Sequence, residues 1–168
     1  MNQGGRRRGD RFWPAVFVVS SALVDAVLHP LVSRDVLAIA APDVAQLAIV
    51  RGTERHELVS TDGGWTLDGA AAPTDATQAL LDRLADLRAI GTTSYGGRIA
   101  RPIATLEVIR HSADSMMDRL VIGPLEGTAD DAWHEVRREG LDVGFRVRAS
   151  VVDAFLGYPG AVAVVPAP

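Results

Sequence analysis

Cysteine and lysine are both absent from the 168 residues of this chain. Without cysteine there are no disulfides and no thiolate metal ligands. Without lysine, every one of the 17 basic residues is an arginine. These arginines are spread along a chain whose net charge is -4, which argues against broad binding to a nucleic-acid backbone.

What the sequence does contain is typical of a globular protein. Hydrophobic residues make up 48% and charged residues 23%. A chain of this length therefore buries a hydrophobic core without the help of disulfides or structural metals. The motifs of common enzymes are missing: there is no Gly-x-Ser-x-Gly nucleophile turn, and no glycine motif for phosphate or dinucleotides. These features predict one main domain without a resident cofactor.

The first 32 residues differ in composition from the rest. Residues 1–11 are rich in Gly and Arg, which predicts a disordered tail. Residues 12–32 form the most apolar stretch, and their basic flank leaves a membrane anchor open as one interpretation. Asp25 opposes that interpretation, because a charge in the middle of a span is costly in lipid.

An internal repeat favours another interpretation of residues 12–32. Phe17 to Leu28 aligns without gaps on Phe145 to Leu156, with Phe, Val, Val, Asp, Ala and Leu at equivalent positions. The second copy carries Arg146 and Arg148, so it does not cross a bilayer. We therefore expect residues 12–32 to be the strand and helix that remain of an upstream repeat.

Residues 33–157 are predicted to form an α+β domain with an antiparallel sheet and helices on one face. The order along the chain is three strands, a helix, four strands and a helix. Turn residues separate the strands, and Gly91 to Pro102 is predicted to be a loop. The strands are expected at 46–50, 55–60, 65–67, 105–109, 119–122, 132–136 and 144–147. Residues 158–168, rich in Ala, Pro and Val, are predicted to be a flexible tail.

The first helix has clear sequence signals. Asp75 is positioned to cap it, Gln78 to complete a capping box, and Gly91 to end it. Its leucines at 80, 81, 84 and 87 form one apolar stripe. We expect Trp65, on the third strand, to be buried against this stripe. The second helix is predicted over 150–156.

Four polar residues are the best candidates for chemistry: His56, Glu57, His134 and Glu135. On a strand, adjacent side chains point to opposite faces, so neither His-Glu pair converges on one metal or one proton. A metal site also needs three or four ligands. The sequence therefore predicts no catalytic, cofactor-binding or metal-binding residues, and it predicts that these four side chains are solvated.

These elements together resemble a bacterial family catalogued as domain of unknown function 4340. The resemblance rests on the following runs: Val44 to Val50, Leu58 to Leu67 with its Gly-Gly-Trp, Ala76 to Ile90, the Pro-led strand Arg101 to Val108, and Leu120 to Gly123. The pattern covers about three quarters of the chain.

The resemblance implies a structural or interaction module of the bacterial cell envelope, without enzymatic activity or catalytic residues. Members often carry the unit in tandem behind a membrane anchor and are linked with an ABC-type transport system for gliding motility. Protein partners, transporter subunits among them, are therefore expected, while a cytoplasmic location stays open. This chain opens with the closing strand and helix of a unit, which suggests a truncated frame or a segment of a longer protein.

Two other functions stay open from the residues. One is a small-ligand binding domain that uses the loop from Gly91 to Arg101 together with Trp133. The other is a membrane-anchored subunit with residues 12–32 as its anchor.

The repeat makes a testable prediction about solubility. Residues 12–168, expressed without detergent, should be soluble and monodisperse, because the N-terminal copy is expected to form a strand and helix. Cell fractionation with a carbonate wash of the membranes measures the solubility, and size-exclusion chromatography of the soluble protein measures the monodispersity. Recovery of the protein only from the membrane fraction would contradict it.

Overall fold

The computed structural model describes residues 34–111 and 116–162, together with Ser20 and Ser21. The chain divides into two units, residues 1–32 and 33–168, and the sheet and its helices lie in the second. The predicted tail at 1–11 lies outside the described residues, and so does the predicted strand-helix remnant at 12–32 apart from the two serines. Within the described part of the chain, no helix is both long and apolar enough to span a membrane.

The described residues form nine strands. They are β1 Val44–Arg51, β2 Glu54–Thr61, β3 Gly64–Leu67, β4 Ala70–Ala71, β5 Gly91–Tyr95, β6 Ala104–Arg110, β7 Met117–Glu126, β8 Trp133–Arg138 and β9 Val143–Arg148. All belong to one sheet in the order β4-β3-β2-β1-β6-β7-β8-β9-β5, and every neighbouring pair is antiparallel. Helix α1 spans Thr74–Ala85 and helix α2 spans Ala149–Val162. The α+β class with an antiparallel sheet is thereby confirmed.

Two strands were not predicted, β4 and β5. Gly91–Tyr95 was expected to belong to a loop, but it pairs with β9 at the edge of the sheet. Its sequence, Gly-Thr-Thr-Ser-Tyr, lacks the apolar alternation that marks a strand, and its partner lies far along the chain. Strand β4 is only two residues long and extends the β3 hairpin.

The helix ends also differ from the prediction. Pro73 occupies the N-cap of α1 and no side chain caps it, while Gln78 donates to Asp82 at 2.8 Å instead of reaching back. The helix ends at Ala85, before Gly91, although Leu87 beyond it is still buried.

Helix α2 is longer than predicted, so residues 158–162 are not a flexible tail. Tyr158 is buried, and its hydroxyl forms a hydrogen bond with the buried Thr77 of α1. The contact joins the two helices. Residues 163–168 of the predicted tail lie outside the described residues.

Alternation along the strands gives the sheet two different faces. On the helix face, the buried side chains of successive strands form the core beneath α1 and α2; they include Leu47, Ile49, Leu58, Leu106, Val108, Leu120, Ile122, Val136, Phe145 and Val147. The opposite face, here called the open face, carries mainly polar and half-exposed side chains. Trp65 was expected to be buried, but it is only half-buried near the edge of the sheet, where Leu67 is the buried residue of β3.

An ion cluster on the helix face binds the strands to the segment before the sheet. Asp118 of β7 is 7% exposed and accepts two hydrogen bonds from Arg110 of β6, at 2.9 and 2.6 Å, and one from the Arg138 Nε of β8 at 3.0 Å. The Arg138 Nη2 also lies 2.6 Å from Asp118 Oδ1. Arg110 also donates to the backbone oxygen of Ala38 at 3.0 Å. A carboxylate held by two forked guanidinium groups is among the stronger polar contacts in proteins.

Asp118→Asn should therefore be costly for stability. The substitution keeps the shape but leaves two half-buried arginines without their counter-charge, so we expect the free energy of unfolding to fall by about 3 kcal/mol. Urea denaturation measures it. Asp86→Asn is the matched control, because Asp86 lies in a surface pair at 79% exposure and should lose about 0.5 kcal/mol or less. Equal losses in the two variants would refute the role given to Asp118.

Candidate functional site

The chain between β5 and β6 crosses the open face of the sheet. These strands are consecutive and run in the same direction, yet β9, β8 and β7 lie between them. Tyr95 ends β5 beside Val143, the first residue of β9, whereas Ala104 begins β6 beside Ile122, in the middle of β7. Residues 96–103 therefore run diagonally across the strands, opposite to the direction of β5. This segment is called the crossover below. Gly96, at a φ of 71°, makes the first turn into it, a conformation that favours glycine.

Two contacts fasten the crossover to the strands beneath it. Arg137 of β8 donates to the backbone oxygen of Gly97 at 3.2 Å. Ile99 lies over Gly123 of β7, where a Cβ would stand 3.4 Å from the Ile99 Cγ2. The absence of a side chain at Gly123 lets the crossover approach the sheet closely.

A groove of about 350 Å³ lies between the crossover and the β8–β9 turn. Its lining residues come from the crossover, β7 and the turn: Gly97, Arg98, Ile99, Arg119, Val121, Arg137, Arg138, Glu139, Gly140 and Leu141. The volume lies within the range of ligand pockets. Four arginines and a single carboxylate line it, with Ile99, Val121 and Leu141 as its apolar part.

One of these arginines belongs to a polar cluster on the open face. Arg137 donates to Glu135 Oε1 at 2.8 Å, and Thr93 of β5 donates to the same oxygen at 2.9 Å. A Cβ on Gly144 would collide with both Thr93 Oγ1 and Glu135 Oε1, so only glycine allows the cluster to close over β9.

A row of alternating charges continues across the open face from β2 to β7. Arg55 donates to Glu57 and to Glu107, each at 2.6 Å, while the Arg119 Nε lies 3.5 Å from the other oxygen of Glu107. The hydrogen bonds to Glu107 and then Glu57 raise the pKa of Arg55 above its ordinary value. Arg119 is the most loosely paired member of this row.

The sheet separates the candidate histidines from their neighbouring glutamates, as alternation requires. Glu57 and Glu135 lie on the open face, whereas His56 hydrogen bonds to Asp68, its Nδ1 at 2.8 Å from Oδ2. Partial burial raises the pKa of Asp68, but the hydrogen bonds from His56 and from the Glu57 N–H lower it more, and the pKa ends below its ordinary value.

His134 differs from the prediction of a solvated side chain, because it is only 3% exposed. Its Nδ1 lies 2.9 Å from the backbone oxygen of Gly123, and since a carbonyl only accepts, this nitrogen carries a proton. Its Nε2 lacks a hydrogen-bond partner among the described residues and lies 3.7 Å from Asp153 of α2. The residue faces the core because β8 presents His134 and Val136 to the helices.

The remaining sequence candidates are distributed around the sheet. No cluster of three or more His, Asp or Glu able to hold a metal ion occurs within the described residues. Trp133 does not line the groove; the Arg146 guanidinium stacks over its ring at 4.9 Å.

A second cavity of about 380 Å³ lies where β9 meets α2, lined by residues of opposite charge that include Asp130 and Arg148.

Sequence reasoning singled out the loop from Gly91 to Arg101 but missed the groove's other wall. The β8–β9 turn supplies Glu139 and Leu141, and β7 supplies Arg119 and Val121. Pairing of β7 with β8 places these residues side by side, and the path of the crossover brings Arg98 and Ile99 to them. The one local signal was Arg98 after two glycines.

No protein-family model matches the chain, and neither does any curated protein or solved structure. The resemblance to domain of unknown function 4340 therefore stays a prediction.

The burial of His134 changes what its substitution should do. His134→Ala removes the hydrogen bond to Gly123 and leaves a cavity under α2, so we expect a loss of about 2–4 kcal/mol in the free energy of unfolding. His56→Ala is the control, since that side chain is 34% exposed and should lose about 1 kcal/mol or less. Urea denaturation of both variants decides the matter. A loss at His134 no greater than at His56 would show that the histidine is not a core residue.

Proposed function

We propose that this chain is a non-enzymatic binding module that contacts a partner protein through the groove on the open face. The groove itself is the observation that carries the proposal. It is a preformed concavity with an apolar floor and several arginines, a composition found at many recognition sites.

The placement of the candidate catalytic residues is consistent with the proposal. His56 and His134 each contact neighbours that hold them in the fold: the Asp68 carboxylate for the first and the Gly123 carbonyl for the second. Glu135 accepts hydrogen bonds from Thr93 and Arg137. All three side chains have structural partners, and the proposal gives none of them a reaction to perform.

The biological setting in this proposal comes from the family resemblance. On that basis the module belongs to the bacterial cell envelope, and its partners include subunits of an ABC-type transport system linked with gliding motility. The small-ligand alternative shares the groove, because residues 97–99 belong to the loop on which that alternative was based.

Site-specific photo-crosslinking in cells tests the proposal. A photoreactive residue replaces Leu141 at the groove in one variant and Asp86, directly after α1, in a control variant; both residues are exposed, at 45% and 79%. We expect a discrete protein adduct from position 141 only, and mass spectrometry then identifies it. A transporter subunit in the adduct would support the envelope setting. No adduct from position 141, or identical adducts from both positions, would refute binding through the groove.

A further inference from the structure

The four arginines of the groove differ in their pairing and exposure, and this difference indicates what the groove binds. Arg137 is already paired with Glu135 at 2.8 Å, and Arg138 is paired with Asp118 at 2.6 Å. Both arginines are half-buried as well as paired, so they stabilise the walls. Arg98 is exposed on the crossover, and Arg119 is 45% exposed. These two guanidinium groups are therefore the ones able to turn toward a ligand.

The positive charge of Arg119 also has only a weak ion pair with a carboxylate. The carboxylate of Glu107 accepts a short hydrogen bond from Arg55 at 2.6 Å, whereas its contact with the Arg119 Nε is 3.5 Å long. A contact of 3.5 Å is beyond the usual length of a charge-assisted hydrogen bond. An incoming carboxylate would gain a better geometry with Arg119 than Glu107 has.

The backbone that carries Arg98 is held in place before any ligand arrives. Arg137 holds Gly97 and Ile99 packs over Gly123, so the crossover is attached on both sides of Arg98. Holding a binding loop in position lowers the ordering cost of association. Only the Arg98 side chain has to be ordered on binding.

The apolar part of the groove lies beside these two charges. Leu141 is 45% exposed at the rim, and Ile99 and Val121 are half-buried below it. Covering an exposed leucine with an apolar side chain removes its surface from water, which favours association. The ligand must therefore combine negative charge with apolar groups.

We propose that the groove binds an acidic peptide segment of a partner protein, with Arg98 and Arg119 pairing with its carboxylates and Leu141 contacting its apolar side chains. This rests on the proposed function and specifies its ligand. A nucleic acid fits less well, because the groove offers two available arginines beside an apolar surface rather than a row of phosphate contacts.

Fluorescence anisotropy with labelled peptides of about ten residues tests the inference. One peptide alternates Glu with Leu, a second replaces each Glu by Gln, a third replaces each Glu by Lys, and oligo-dT serves as a plain polyanion. We expect the Glu-Leu peptide to bind most tightly. Arg98→Gln and Arg119→Gln should each weaken it about tenfold, the loss of one charge-assisted pair. Arg83→Gln, at an exposed position on α1, should leave it unchanged, and thermal melting verifies that each variant is folded.

Several results would overturn the inference. Absence of binding by the Glu-Leu peptide at about 1 mM, where even weak complexes form, is one. Equal binding by the Gln or Lys peptide would place recognition in the apolar part alone, and equal binding by oligo-dT would show unspecific attraction of anions. If the peptide measurements give one of these results while position 141 still crosslinks to a partner protein, the groove binds a ligand of other chemistry and the proposed function survives.

Discussion

The path of the chain between β5 and β6 is the constraint on which the rest of this structure depends. The two strands are neighbours in sequence and run in the same direction, but β7, β8 and β9 separate them in the sheet. The connection has eight residues, 96–103, too few for a helix that would span the sheet, so it crosses without helix or strand. The groove exists because this crossover rises over the open face beside the β8–β9 turn.

Glycines make the crossing possible at the positions where the chain and the sheet come close. Gly123 gives Ile99 room over β7, and Gly144 gives room to the polar cluster of Thr93, Glu135 and Arg137. The cluster in turn holds the oxygen of Gly97. The crossover and the strands beneath it are thus coupled through side chains of β8.

The sequence predicted those parts of the fold that are encoded locally. The β1 to β3 meander and the four strands before the last helix follow from alternation and turn glycines, and each pairs with a neighbour across a short turn. Strand β5 escaped prediction because its pairing with β9 comes from tertiary contacts, which no local pattern records.

The candidate site was harder to predict for the same reason. Arg98 lies far along the chain from β7 and the β8–β9 turn, which carry Arg119 and Leu141, and no local pattern joins it to them. His134 was assigned to solvent because no metal ligand or catalytic partner could be placed beside it, but the alternation of β8 directs its side chain to the core. If the inward-facing positions of a strand are assigned one residue too early or too late, every side chain on that strand is placed on the wrong face.

The position of β5 also has a consequence for the order in which the chain folds. Its only neighbour in the described sheet is β9, the last strand in sequence, and the register joins Thr92 to Phe145. Strands β1, β2 and β6, by contrast, become available early during synthesis. Contacts between distant segments close late, because the entropy lost in forming a long loop precedes the gain. The crossover therefore takes its final place only after β9 has left the ribosome, and the groove is among the last features of the domain to form.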